Sequence, residues 1–122
     1  MSSNQNITAI LSKMMDTISE LEGVILSKAG NIIAAKTIYE SIDDPGAARQ
    51  AAEIVKASQS LSKIIEKGQL KEATLAYDKG FAIVVEQDGI ILTGIAGSDA
   101  RSQLGLLKIN LAKSLGIVKK FV

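Results

Sequence analysis

Residues 70–95 read LKEATLAYDKGFAIVVEQDGIILTGI, and this stretch decides the fold. Leu70 to Tyr77, Phe81 to Glu86 and Ile90 to Ile95 are three strand-length runs, broken by Asp78-Lys79-Gly80 and by Gln87-Asp88-Gly89. Breaks this short join antiparallel neighbours, so the three runs form a meander. Yet Ala82-Ile83-Val84-Val85 and Ile90-Ile91-Leu92 are apolar at consecutive rather than alternate positions. An antiparallel sheet with one wet face alternates, so here both faces must be covered.

Working outward, Gly23 to Ser27 and Ile32 to Lys36 are two more short strands around Lys28-Ala29-Gly30-Asn31, whose Gly and Asn suit positive φ. Val24-Ile25-Leu26 again lacks alternation. Ile7, Ile10, Leu11, Met14, Met15, Ile18 and Leu21 recur at helical spacing, which predicts a helix near residues 6–21 with Asn6 as its cap. Asp43-Asp44-Pro45-Gly46 supplies a carboxylate cap and a proline for the first turn of a second, alanine-rich helix running to Lys67 and Gly68. From about Asp99, Leu104, Leu107, Leu111, Ala112 and Leu115 mark a last helix that stops at Gly116, leaving 117–122 as an apolar tail. The order is αββαβββα. Three helices for two sheet faces give a three-layer α/β/α sandwich, an α+β arrangement with the sheet in the middle.

The second helix carries more apolar surface than one contact needs. Ala47, Ala51, Ile54, Leu61 and Ile65 form a stripe interrupted only by Ser58, widened by Ala48 and Val55 on one side and by Ala57 and Ile64 on the other. The arc spans on the order of 200°, where one buried face needs about 100°. Small residues at Ala48, Ala52 and Ala57 would let another helix approach closely, which points to the same helix of a second subunit. A helix sunk deep in its own domain is the alternative.

Length and composition bound the rest. The chain has 122 residues, 47% hydrophobic content and one proline, which suits one domain over 1–122 with a core from about 6 to 115. Net charge is +1 with both signs interspersed, and two Tyr, two Phe and no Trp give few stacking platforms, so nucleic acid and anionic lipid are not expected partners. The longest apolar run, Phe81 to Val85, falls far short of the roughly 20 residues of a membrane span. The polar N-terminus does not read as a signal peptide, so a cytoplasmic location without membrane insertion is expected. Zero Cys and zero His remove thiolate chemistry, zinc-thiolate sites, the usual general base and the commonest metal ligand. No catalytic residue, cofactor or metal is implied.

Four groups invite a chemical reading. Thr93-Gly94-Ile95-Ala96-Gly97-Ser98-Asp99 lies between a strand and a helix, where backbone N–H groups suit an anion, but it lacks the lysine and spacing of a P-loop. Ser98 and Asp99 read as helix caps. Asp43 and Asp44 have no third ligand nearby and read as caps too. Lys28, Lys36 and Lys79 sit at strand ends beside turns, where solvated lysine is the default. Of two arginines, Arg49 lies on the polar side of the second helix and Arg101 near the start of the last, where off-stripe Leu106 and Ile109 suggest either a partner or packing on the first helix.

The hairpin Gly23-Val24-Ile25-Leu26 then Ala29-Gly30-Asn31-Ile32-Ile33-Ala34, set in an αββαβββα order, resembles the opening of the roadblock/dynein light chain family. Gln103-Leu104-Gly105-Leu106-Leu107-Lys108 is similar to the closing helix of that family's longer members, and the likeness runs from about Asn6 to Leu115. It implies a profilin-like sheet in the order 2-1-5-4-3, the second helix on one face and the other two opposite. It also implies dimers, with this chain or a sister roadblock protein, in which edge strands pair and second helices lie side by side. Under that expectation Ala48, Ala52, Val55, Ala57, Leu61, Ile64, Glu72, Thr74 and Ala76 lie at a dimer interface. Family members regulate or scaffold Ras-like small GTPases or serve as dynein adaptors, so the resemblance implies a non-enzymatic scaffold, with Arg49, Glu53 and Lys56 facing a GTPase. A structural adaptor in a larger complex and a small-ligand sensor are the other readings. The chain departs from the family in its short loop after the second strand and in residues 117–122.

Overall fold

The structure is a computed structural model, and it describes residues 3–122. Its elements are α1 (Ser3–Thr17), β1 (Leu21–Lys28), β2 (Asn31–Thr37), α2 (Asp44–Ile65), β3 (Glu72–Tyr77), β4 (Gly80–Gln87), β5 (Ile90–Gly97) and α3 (Leu104–Val118), with 3₁₀ segments at Ser98–Gln103 and Lys119–Phe121. The five strands form one antiparallel sheet in the order β2-β1-β5-β4-β3, the order the resemblance implies. Both sheet faces are covered, as the unalternating strands require. Among the described residues no helix is long and apolar enough to cross a membrane.

The two faces are packed unequally. One holds Val24, Leu26, Ile83, Val85 and Leu92 against Ile7, Leu11 and Met14 of α1 and Leu107, Leu111, Leu115 and Val118 of α3. The other is thin, with Ala51 of α2 meeting Val84 and Ile91, and Ala52, Val55 and Ala73 around them. Gly94 sets the spacing on the crowded side, because a Cβ there would come 2.9 Å from Leu111 Cδ1. Gly80 has φ +151°, and a Cβ there would overlap the carbonyl oxygen of Ala96 on β5. Two hydroxyls, Ser27 Oγ and Thr93 Oγ1, are buried without a hydrogen-bond partner among the described residues.

Several boundaries differ from the sequence expectation. α1 runs Ser3–Thr17, so Asn6 is inside the helix rather than its cap, and Leu21 belongs to β1, paired with Ala96. An apolar period carried into the first residue of a buried strand cannot be told from more helix. In the β1–β2 turn the positive-φ residues are Ala29 (53°) and Gly30 (81°), not Asn31. α2 ends at Ile65, with Glu66 rather than a glycine taking the left-handed position. The last helix passes through Gly116: Leu107, Leu111, Leu115 and Val118 continue one buried row, and Phe121 packs against the same core. Residues 117–122 are therefore the end of a helix and a 3₁₀ turn, with Val118 fully buried, rather than a tail.

Candidate functional site

The position of α2 is fixed at both ends. The Asp43 carboxylate accepts the Gly46 N–H at 3.0 Å, and Pro45 stands in the first turn. At the far end Glu66 donates its N–H to the Ser62 carbonyl, the Ser62 hydroxyl donates to the Gly68 carbonyl, and Gln59 Oε1 accepts the Leu70 N–H at 3.3 Å. Upstream, the Glu22 carboxylate holds the Tyr39 phenol above its ordinary pKa, by its negative charge first and by desolvation and hydrogen bonding second.

Held this way, α2 seats only its first half on the sheet. Ala48 and Ala51 are buried, whereas Leu61, Ile64 and Ile65 are 57%, 80% and 51% exposed. Leu61 and Ile65, at the far end of the stripe that begins with Ala47 and Ala51, are not covered by the sheet, so Leu61 is open at the position the dimer expectation gives it. Ala48 is fully enclosed within the chain and offers nothing to a second subunit, which corrects its placement at an interface. Ala52 and Val55 are half-buried around the Ala51, Val84 and Ile91 cluster. The opposite edge of the arc is the open one: Ala57, Leu61 and Ile64 continue from half-buried Ile54 as one row at helical spacing. β3 is a terminal strand bonded only to β4, so its outer edge is free among the described residues. On it Glu72 and Ala76 are exposed and Thr74 is half-buried, paired with Val85, Phe81 and Ile83 of β4.

Beside the first half of α2 lies an open groove of about 930 Å³, walled by the β1–β2 and β4–β5 turns. Arg49, Glu53 and Lys56 all line it, over a floor of Ile32, Ala52, Val55 and Ile91. Lys56 pairs with Glu53 at 3.7 Å, and the Glu86 carboxylate accepts the Gly89 N–H at 3.1 Å. Lys28 and Arg49 make no ion pair among the described residues. Nothing local in the sequence marks Lys28, Glu86 and Ile91 as neighbours of Arg49. The sheet order would have shown it, since β1 and β4 end, and β2 and β5 begin, at one end of the sheet.

The other candidates separate. Thr93 to Gly97 lie within β5, and Ser98 and Asp99 open a 3₁₀ segment whose start makes no side-chain cap bond, so they do not cap an α-helix. α3 starts only at Leu104, so its N-terminus does not lie at this loop. Asp43 is a cap, and among the described residues no three acids, Cys or His come together to hold a metal ion. Arg101 lies over the Phe81 ring, 5.4 Å from its centroid. Lys36 and Lys79 are solvated, and Leu106 and Ile109 are 55% and 53% exposed rather than packed on α1.

No protein-family model and no curated protein matches the sequence. Solved structures match it closely in shape. MglB from Myxococcus xanthus superposes with a TM-score of 0.81 at 21% identity, over 95% of this chain and 94% of that one. A structure described as MglB with a tetrameric arrangement gives 0.84 at 15% identity over 100% and 94%. The roadblock/LC7 domain from Streptomyces avermitilis gives 0.74 at 16% identity over 88% and 92%. Topology, sheet order and these superpositions agree: the chain has the roadblock fold.

Proposed function

We propose that this chain is a non-enzymatic, cytoplasmic homodimer that binds a Ras-like small GTPase and modulates its nucleotide cycle. The observation that carries the reading is the exposed apolar row Ala57, Leu61 and Ile64 on α2, in a sheet whose β3 edge is unpaired. An apolar row that a domain does not bury itself wants a partner, and a free, proline-free strand edge is a template for pairing. Antiparallel pairing of two β3 edges around a twofold axis brings two copies of the row together and closes both liabilities at once. Self-assembly is also what the tetrameric description says of that MglB.

In such a dimer the grooves carrying Arg49, Glu53 and Lys56 flank the paired α2 helices, and these three residues are the proposed GTPase contacts. Nothing in that set supplies a nucleophile and a base together, so the action is conformational. By holding one switch conformation better than the other, the dimer shifts the GTPase between states, by no more than its differential affinity.

Two measurements test this. Light scattering at micromolar concentration is expected to give twice the chain mass of 12.9 kDa. Affinity purification from the native host is expected to recover a small GTPase. A clean monomer refutes the homodimer, and equal binding of GTP- and GDP-loaded forms converts the regulator into a constitutive adaptor.

A further inference from the structure

The opposite side of the sandwich carries a second surface, built on a different chemistry. α1 and α3 leave between them a groove of about 470 Å³ lined by Ile10, Met14, Ile18 and Ile117 with Lys13 and Lys113. Among the described residues no Asp or Glu lines it. Downstream of Asp99 the sequence holds five cations, Arg101, Lys108, Lys113, Lys119 and Lys120, and no acid. Of these, Lys119 pairs with Asp88 at 3.0 Å and Arg101 lies on Phe81, while Lys113 lines the groove and makes no ion pair among the described residues. Leu106, Ile109 and Ile117 are 55%, 53% and 52% exposed. Their spacing puts them on the same outer face of α3 as Lys113, in a row about 16 Å long.

We propose that the α1–α3 groove docks an acidic amphipathic helix of a partner protein. An apolar floor whose charged lining residues are the two lysines, beside the neutral Thr17, Asn110 and Ser114, is complementary to a helix whose apolar stripe is flanked by carboxylates. Groove-to-groove pairing of two copies about a twofold axis is disfavoured, since it would set Lys13 and Lys113 against their own counterparts. A bilayer fits poorly, because the floor is recessed: Met14 is only 4% exposed and lies below a flat surface's reach. The site is across the sheet from α2, so a dimer holding a GTPase by α2 keeps this groove free for a second protein.

The test uses the whole chain and a labelled 15-residue peptide with leucines at i, i+3, i+7 and i+10 flanked by glutamates, read by fluorescence anisotropy. The control peptide carries lysine in place of every glutamate. The acidic peptide is expected to bind at least tenfold more tightly than the control, and less tightly in high salt. Lys13→Glu with Lys113→Glu, both exposed positions, is expected to weaken it about tenfold with an unchanged circular dichroism spectrum. Ile64→Glu, on the other face, is expected to leave it intact. Equal binding of the two peptides, or of the charge-reversed protein, overturns the proposal. So does co-sedimentation with phosphatidylserine vesicles, lost on charge reversal, in a protein that ignores both peptides.

Discussion

Ile64→Glu separates association from folding more cleanly than any other change on α2. The side chain is 80% exposed in the single chain, so it contributes almost nothing to the monomer's own core. Full burial of an isoleucine is worth about 1.5–3 kcal/mol, so covering the exposed four-fifths at an interface contributes about 1–2.5 kcal/mol per copy. A twofold axis loses it twice, and two carboxylates are stranded where Leu61 and Ile65 expect apolar cover. The dimer is then weakened by about 3–4 kcal/mol or more, which raises the dissociation constant roughly 10²- to 10³-fold. Sedimentation equilibrium reads that constant, and a thermal melt of the dissociated variant reads the monomer, whose intrinsic stability should change by less than about 0.5 kcal/mol. An unchanged dissociation constant would place the interface elsewhere. A variant that loses its helical signal at low temperature would show that Ile64 belongs to the domain's own core.

Glutamate at Ile54, half-buried where the arc meets the sheet, is expected to lower the melting temperature, whereas at Ala57 it dissociates the dimer with less loss of structure; equal unfolding by both would make the whole arc intradomain core. Thr93→Val, which removes a buried hydroxyl without a partner and keeps the shape, is expected to stabilise by about 1 kcal/mol and raise the melting temperature by about 3–6 °C, and a lower one would reveal a bond to the hydroxyl. Gly80→Ala is expected to cost about 3 kcal/mol or more in urea denaturation, because its φ of +151° and the Ala96 carbonyl both refuse a Cβ, and a near-neutral result would contradict that β4–β5 geometry.

The sheet was the most legible part of the sequence. Asp88-Gly89 announces a two-residue hairpin turn and takes φ of 54° and 82°, and consecutive apolar residues in β1, β4 and β5 announced cover on both faces. Boundaries read worse where a local rule met a packing term. Glycine in a helix costs about 1 kcal/mol, which suggested a stop at Gly116, but burying Val118 and Phe121 against the core outweighs it. On α2 the periodicity revealed the width of the apolar arc but not which residues the domain would bury for itself. That depends on how the helix seats on the sheet, and it reverses the expectation for Ala48, which the domain buries for itself. The groove beside Arg49 was less legible still, because its walls come from turns nearly 60 residues apart in the chain, between Lys28 and Glu86, brought together only by the sheet order.

On the proposed function, the α2 side recognises the nucleotide state of a small GTPase. The most direct test is a calorimetric titration of the recovered GTPase, loaded with a non-hydrolysable GTP analogue or with GDP, into the wild-type protein and into Arg49→Glu with Lys56→Glu, two exposed positions. The account predicts at least tenfold preference for one nucleotide state and a loss of that complex in the double variant, with the dimer and the fold unchanged. Equal affinity for both states, or full binding by the charge-reversed protein, would contradict it.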